Sequence, residues 1–459
     1  MLNPEIFRAY DIRGIVDKDI DEEGVVVIGK AFGTYLEGKG TITVGGDIRT
    51  TTPKFKEAFI KGITSTGVNV IDVGICSTPA LYFSIFHHKS DGGAQITASH
   101  NPKEYNGCKL CINEARALFG DEIQEIREIA EKGEFVKGKG KIKNEEIVPA
   151  YQAMIKSKIG LNPAKKLKVV IDSGNGCAGV IAPKIIKELG CEVIELFSEP
   201  DGNFPNHLAD PTRTECMQDL IKAVKENKAD MGIGYDGDAD RIGLVDEQGN
   251  IIWGDTLLGI LAKDLLKRAP ASKIIFEVKC SMALQEYIQD QGGHPIMWKT
   301  GHSFIKAKLK EEQALLAGEM SGHLFFAEDY YGFDDAIYAS CKFLEILSNT
   351  DMTLSQMAAE IPSYSITPEL RIDCPDNVKF EIVKKVKEEL KKDYETLDID
   401  GVRATIEDGW VLVRASNTSP KLIVRAEAKT KDKLDDIKGI ILKILSEFKE
   451  IKDNLEVLK

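Results

Sequence analysis

Ser99 and His100 lie in the stretch Gln95-Ile96-Thr97-Ala98-Ser99-His100-Asn101-Pro102, with Lys109 a few residues on. Residues 94–97 read as the end of a strand, and Pro102 stops the polar loop after it from continuing as helix or ladder. A hydroxyl at a loop tip, with one imidazole and one ammonium close in sequence, is a place for a nucleophile or phosphoryl carrier. A plain serine turn with a satisfied loop histidine fits the same residues.

A second loop, Asp236-Gly237-Asp238-Ala239-Asp240-Arg241, lies between the apolar runs 231–235 and 242–245. Three carboxylates at alternate positions, spaced by small residues, can converge on one cation. Oxygen ligands without thiolate or imidazole favour hard Mg²⁺. An EF-hand is excluded, because its sixth position needs glycine and Arg241 stands there, with strands rather than helices on either side.

Two more loops carry polar chemistry. Glu319-Met320-Ser321-Gly322-His323 joins apolar residues 314–317 to 324–326 and offers a carboxylate able to accept from neighbouring hydroxyls, as a polyol would require. An ordinary hairpin loop fits it too. Arg414-Ala415-Ser416-Asn417-Thr418-Ser419-Pro420, with Arg425 beyond, groups two guanidiniums, hydroxyls, an amide and loop N–H donors suited to a phosphate dianion. Secondary candidates are Arg8, Tyr10, Arg13, Lys279 and the run Lys299-Thr300-Gly301-His302 at an expected helix start, where anions are favoured. His87-His88 reads as a surface pair. Gly174-Asn175-Gly176-Cys177-Ala178-Gly179 is a literal G-x-G-x-x-G between a strand and a helix, with Glu195 about twenty residues on, so a dinucleotide site is an alternative. Asp172 and Ser173 make the turn longer than that fingerprint prefers.

The elements that must position these loops repeat. Strands at 41–45, 167–172 and 273–278 each lead to an amphipathic helix, at 53–66, 178–189 and 282–291. Each helix ends at glycine: Gly67, Gly190 or Gly292-Gly293. A second strand follows at 68–73, 192–197 and 295–298. Three βαβ units of this kind predict right-handed crossovers and mostly parallel pairing. A loop at the carboxyl end of a strand follows each unit, where α/β sheets bind ligands. The tail differs: strand 370–374, helix 378–394, strands 401–406, 410–413 and 422–428, and helix 431–448, an α+β domain. The expected fold is α/β, three similar βαβ-containing mixed-sheet domains (1–148, 149–254, 255–367) and a smaller α+β C-terminal domain (368–459) around a central cleft. A hinge is expected at 362–368.

Composition sets the class. At 459 residues, length alone predicts three or four domains. Lys+Arg 60 against Asp+Glu 73 gives a net charge of −13, which argues against a general nucleic-acid binder. No signal peptide is visible in residues 1–14, and no run reaches the roughly eighteen apolar residues of a membrane span. Nine scattered cysteines suit reduced thiols and a cytoplasmic location, and the lone Cys108-Lys109-Leu110-Cys111 reads as strand.

With these loops in hand, the chain resembles the α-D-phosphohexomutase family, in its phosphomannomutase/phosphoglucomutase branch. The resemblance runs through IFRAYDIRG (6–14), TASHNP, DGNFPNH (201–207), DGDADR, WKTGH (298–302), GEMSGH, GFDDAIY (332–338) and RASNTSP. It implies four domains with the last as a mobile lid, and reversible phosphoryl transfer between hexose 1-phosphate and hexose 6-phosphate, of mannose or glucose. It also implies a hexose 1,6-bisphosphate intermediate and activator. Ser99 matches the phosphoserine. Asp236, Asp238 and Asp240 match the Mg²⁺ ligands, with a Ser99 phosphoryl oxygen completing the site. Glu319, Met320, Ser321 and Gly322 match the sugar loop. Arg414, Ala415, Ser416, Asn417 and Thr418 match the phosphate clamp, with Arg425 beyond it. Tyr10, Arg13, His100, Lys109, Arg241, Lys279, His302 and His323 match further cleft positions, with His100 and Lys109 as proton-transfer candidates. The expected partners are small-molecule hexose phosphates, with no nucleic acid and no membrane, and a monomer or small homo-oligomer. Ala239 stands where many relatives carry glycine. Phosphoglucosamine mutase is the alternative within the family, against which Met320 speaks. A phosphatase labelled on Asp236 is the alternative outside it.

Overall fold

The computed structural model describes residues 2–416 and 420–458. In the first domain, strand Thr41–Gly46 runs parallel to Asn69–Ile75 on one side and Gly92–Ile96 on the other. Gly92–Ile96 then pairs antiparallel with Tyr105–Ile112. The second domain repeats this with Lys168–Asp172 between Glu192–Leu196 and Met231–Tyr235, the last pairing antiparallel with Ile242–Asp246. The third has Lys273–Glu277 between His294–Trp298 and Leu316–Gly318, and the last pairs antiparallel with Leu324–Phe326. The serine, aspartate and glutamate loops are therefore equivalent: each is the hairpin where a parallel strand turns back on an antiparallel neighbour. The central parallel strands Thr41–Gly46, Lys168–Asp172 and Lys273–Glu277 are buried on both faces beyond their first residue, so apolar and small residues dominate them.

Helices Thr52–Thr64 and Met282–Asp290 fall within two residues of their sequence-based bounds, while Asp376–Leu390 and Lys431–Leu445 end four and three residues early. The helix expected at 178–189 is broken, into a 3₁₀ turn at Cys177–Val180 and a short helix at Ala182–Glu188. Pro183 fits only a helix start. A Cβ on Gly179 would meet the Ser198 carbonyl at 2.0 Å, so the turn is pressed against the chain beside it.

The fourth domain is an antiparallel sheet. Lys421–Ala428 lies at its centre, between Gly409–Ala415 on one side and Leu370–Asp373 and Ser365–Ile366 on the other. Ser365–Ile366 thus already belongs to this sheet, ahead of the expected start at 368. Helices Asp376–Leu390 and Lys431–Leu445 cover it, giving a core of its own around Val386, Val413, Val424 and Ile441. One apolar core instead runs across the first three domains, joining Tyr82, Ile171, Leu258 and Phe333, beside a further cluster around Phe32 and Phe59 within the first. The fourth touches the third through a small cluster of Val278, Trp410 and Leu412. Three domains share a core and one is hung from their edge. No helix among the described residues is long and apolar enough to cross a membrane, and all nine cysteines are buried and unpaired.

Candidate active site

The three equivalent hairpins and the fourth domain's edge converge on one cleft. Its walls include Tyr10, Arg13, Ser99, His100 and Lys109 from the first domain and Arg241 from the second. The third supplies Lys279, His302, Glu319, Met320, Ser321 and His323, and the fourth Arg414 and Ser416. Asp236, Asp238 and Asp240 lie beneath the floor, each fully buried.

Ser99 donates from Oγ to Asp236 Oδ2 at 2.6 Å and lies 3.1 Å from His100 Nδ1. Its φ is +50°, in the left-handed region, where a non-glycine residue carries about 1–2 kcal/mol of strain. Ala239 has the same conformation, φ +59°, which is why its position suits glycine. Asp236 also shapes its own loop, since Oδ1 accepts from the Asp240 and Arg241 amides, each at 3.1 Å.

Electrostatics set the charge states. Burial, then the neighbouring Asp240 and Asp238, push the Asp236 carboxyl well above the usual range. Burial pulls Lys109 down, but Asp238 and Asp240 outweigh it and hold the ammonium charged. Lys109 Nζ is 2.8 Å from Asp238 Oδ2 and also bonds Asp240 Oδ2. His100 is held well below its usual value by burial, then by Arg241 and Arg13, so its ring is neutral.

His323 is fixed from both sides. Arg241 Nε donates to its Nε2 at 2.9 Å, so its proton is on Nδ1, which lies 2.8 Å from Asp334 Oδ2. His302 stacks on it at 5.5 Å and meets Tyr10 edge-on at 5.2 Å. Glu319 Oε1 accepts from the Gly301 amide at 2.5 Å, tying the glutamate loop to the start of helix His302–Glu312. Arg414 Nε donates to Asp400 Oδ2 at 3.0 Å.

Family models cover nearly all of this chain. Those for phosphoglucomutase/phosphomannomutase alpha/beta/alpha domains I, II and III match residues 4–137, 149–249 and 253–364, and that for the C-terminal domain matches 369–444. The chain belongs to the phosphoglucomutase/phosphomannomutase family. A phosphomannomutase/phosphoglucomutase of Pseudomonas syringae pv. tomato is 44% identical over 460 residues, covering 100% of this chain and 98% of the relative. A phosphoglucomutase of Neisseria gonorrhoeae is 43% identical over 95% of each. A phosphoglucomutase/phosphomannomutase family protein from Burkholderia thailandensis superposes with a TM-score of 0.90 at 38% identity, over 97% of this chain and 98% of that one.

The donor set of this family member fits a divalent metal ion. One oxygen from each of Asp236, Asp238 and Asp240 lies within 4.8 Å of the others, and Asp238 Oδ1 and Asp240 Oδ1 are buried without a hydrogen-bond partner among the described residues. Crowded carboxylates of this kind repel unless a cation joins them.

Arg425 is buried with Nε and NH1 unpartnered among the described residues, on the same face of strand Lys421–Ala428 as Ile423 of the cleft wall and within electrostatic reach of Cys280 and Arg403. Other expected residues do not line the cleft. Ala415 packs into the fourth domain's core. Gly322 supports the loop from behind: at φ +87°, a Cβ there would meet the Ile242 carbonyl at 2.2 Å. Asn417 and Thr418 lie outside the described residues. The G-x-G-x-x-G turn packs against the aspartate loop. Cys177 N donates to the Gly237 carbonyl at 3.0 Å, and a Cβ on Gly176 would meet that oxygen at 2.8 Å.

Reasoning from sequence missed the buried supports. Asp334 holds His323, Glu277 accepts from the Met320 amide at 3.1 Å, and Asp47 with Arg49 underlies the serine loop. Asp47 directly follows strand Thr41–Gly46, at the carboxyl edge where ligand loops gather, a signal that could have drawn attention to it. Asp334 lies within the GFDDAIY stretch.

Proposed function

We propose that this protein interconverts hexose 1-phosphates and hexose 6-phosphates, of mannose or glucose, through a phosphoryl group carried on Ser99. The observation that carries the reading is Ser99 Oγ, 2.6 Å from Asp236 Oδ2, at the floor of a cleft whose far wall bears Lys279 and Arg414. A phosphatase needs the first half of that arrangement, and only a mutase needs the second.

Phospho-Ser99 transfers its phosphoryl group to the free hydroxyl of a bound hexose phosphate. The new P–O bond forms as the P–Oγ bond breaks, giving a hexose 1,6-bisphosphate. The sugar then turns end for end, and its other phosphate returns to Ser99. Mg²⁺ held by Asp236, Asp238 and Asp240 would supply charge neutralisation at the phosphoryl oxygens. Lys109 adds a fixed positive charge, since phosphoryl transfer depends mainly on positioning and electrostatic stabilisation. His100 Nδ1, neutral and 3.1 Å from Ser99 Oγ, can hold the proton that moves. Glu319 keeps one carboxylate oxygen for a sugar hydroxyl, with Ser321 beside it, and Tyr10, His302 and His323 bound the ring. Arg414 and Ser416, with Asn417 and Thr418, receive the phosphate that is not reacting, with Lys279 adding charge near Arg414, while Arg13 and Arg241 add charge beside the serine loop.

Turning the intermediate requires space, which a fourth domain with its own core and a narrow apolar contact can provide by swinging. The reading is tested with Mg²⁺, glucose 1-phosphate and a trace of glucose 1,6-bisphosphate. Glucose 6-phosphate is the expected product, and release of free phosphate with label on Asp236 would instead mean a phosphatase. Mannose 1-phosphate and glucosamine 1-phosphate in parallel define the preferred sugar.

A further inference from the structure

Arg49 has a side chain with 0% exposure and spends every guanidinium nitrogen on one loop and one carboxylate. NH1 donates to the carbonyls of Pro102 at 2.7 Å and Tyr105 at 3.0 Å. NH2 donates to those of Ser99 at 2.8 Å and Asn101 at 2.6 Å. Nε donates to Asp47 Oδ2 at 3.2 Å. Asp47 is itself held, accepting from Thr52 Oγ1 at 2.6 Å and Thr97 Oγ1 at 2.8 Å, and Thr97 Oγ1 accepts from the Ser99 amide at 2.9 Å. Both the amide and the carbonyl of Ser99 are thus fixed from one buried network. Phe204 of the second domain covers the guanidinium, its ring centre 5.2 Å from Cζ. Gly202 allows that approach, because a Cβ there would meet the Ile48 carbonyl at 2.5 Å.

A planar fork with five N–H donors imposes a geometry that a flexible ammonium cannot. Four carbonyls of the loop 99–105 are placed by one rigid plate, and Ser99 is held among them at φ +50°. We infer that Arg49 is a positioning residue for phosphoryl transfer, fixing the backbone of Ser99 so that Oγ stays against Asp236. This rests on the reading of Ser99 as the phosphoryl carrier. Arg49 supports the serine loop from behind without itself lining the cleft, and the phosphate-binding cations stand mainly on other domains, so its loss leaves hexose-phosphate binding intact. Transfer itself depends on sub-ångström placement and slows.

The test compares Arg49→Gln and Arg49→Lys with the parent protein and with Ser99→Ala. The readouts are kcat and KM for hexose 1-phosphate, the rate at which labelled hexose 1,6-bisphosphate phosphorylates the protein, and the melting temperature. Arg49→Gln is expected to lower kcat and the labelling rate together, by about 100-fold, while KM moves less than about threefold. Arg49→Lys keeps the charge without the fork, and is expected to fold yet stay about tenfold slow in both. A kcat for Arg49→Lys within about twofold of the parent, or a raised KM with kcat unchanged, overturns the assignment. If neither variant folds, Asp47→Asn frees the guanidinium on one side and is read by the same split, with normal labelling overturning the inference. Turnover retained by Ser99→Ala removes the carrier reading itself, whereas an inactive Ser99→Ala beside a normal Arg49→Lys removes only the role of Arg49.

Discussion

Lys109, on a strand of the first domain, places Nζ 2.8 Å from Oδ2 of Asp238, in the aspartate loop of the second. Both side chains are buried, at 4% and 0% exposure, and the same ammonium bonds Asp240. Removing one partner of a buried ion pair costs about 3–5 kcal/mol, because the remaining charge is left uncompensated. Lys109→Met is therefore expected to lower the melting temperature of the protein without added metal by several degrees. Mg²⁺ should raise the melting temperature of this variant more than that of the parent, since the carboxylates then lack another cation. Equal Mg²⁺ shifts in both proteins would count against the metal site.

Ala239 tests the backbone of that loop. Its φ of +59° favours glycine, but its buried methyl group is lost on replacement, and the two effects oppose each other within about 1 kcal/mol. Ala239→Gly should leave melting temperature and Mg²⁺ affinity close to those of the parent. Ala239→Val forces a β-branched side chain into the left-handed region of a fully packed site, where overpacking alone costs about 1–3 kcal/mol. Calorimetric titration should show weakened Mg²⁺ binding for valine alone; equal affinities would mean that the loop relaxes freely.

His207 and Asp172 predict a pH dependence away from the cleft. Burial opposes the charge on His207, but the Asp172 carboxylate at 3.0 Å, the Cys216 thiol and the Leu208 carbonyl outweigh it and push the pKa up to about 10. A histidine raised above its unfolded value of about 6.5 stabilises the fold fully below that pH and loses the contribution as pH rises towards 10. His207→Gln should lower the melting temperature more at pH 6 than at pH 10. The same loss at both would show that His207 is not charged in the folded protein.

Arg403 and Glu427 hold the fourth domain on the third. Arg403 NH1 donates to the Cys280 carbonyl at 3.0 Å and also bonds that of Val278, with its guanidinium 3.6 Å above the Trp410 ring. Glu427 accepts from the Met282 amide at 2.8 Å and Ser281 Oγ at 2.5 Å, at the start of helix Met282–Asp290. If the fourth domain must swing while the intermediate turns, Glu427→Gln should loosen this contact. A coupled assay should then find more hexose 1,6-bisphosphate released per turnover, and unchanged release would place the moving contact elsewhere.

Much of this was legible in the sequence because its periods are strong. The strands at 41, 168 and 273 are short runs rich in β-branched residues, each followed by a glycine-ended helix, and their repeat points to the three hairpins. Ser99, the three aspartates and Arg414 announce themselves by type and spacing. Arg49, Glu277 and Asp334 did not, since one charged residue beside a strand carries no pattern until the fold shows which carbonyls and rings surround it. The G-x-G-x-x-G turn shows the same limit. Its glycines are needed for close packing within the protein, Gly176 against the Gly237 loop and Gly179 against Ser198.

Peptide mapping after brief incubation with isotopically labelled hexose 1,6-bisphosphate and Mg²⁺ tests the central claim most directly. The account predicts one phosphoryl group, on Ser99, that is chased off onto added hexose 1-phosphate at the rate of turnover. Label on any other residue, or a Ser99→Ala protein that turns over at the parental rate with bisphosphate supplied, would contradict it.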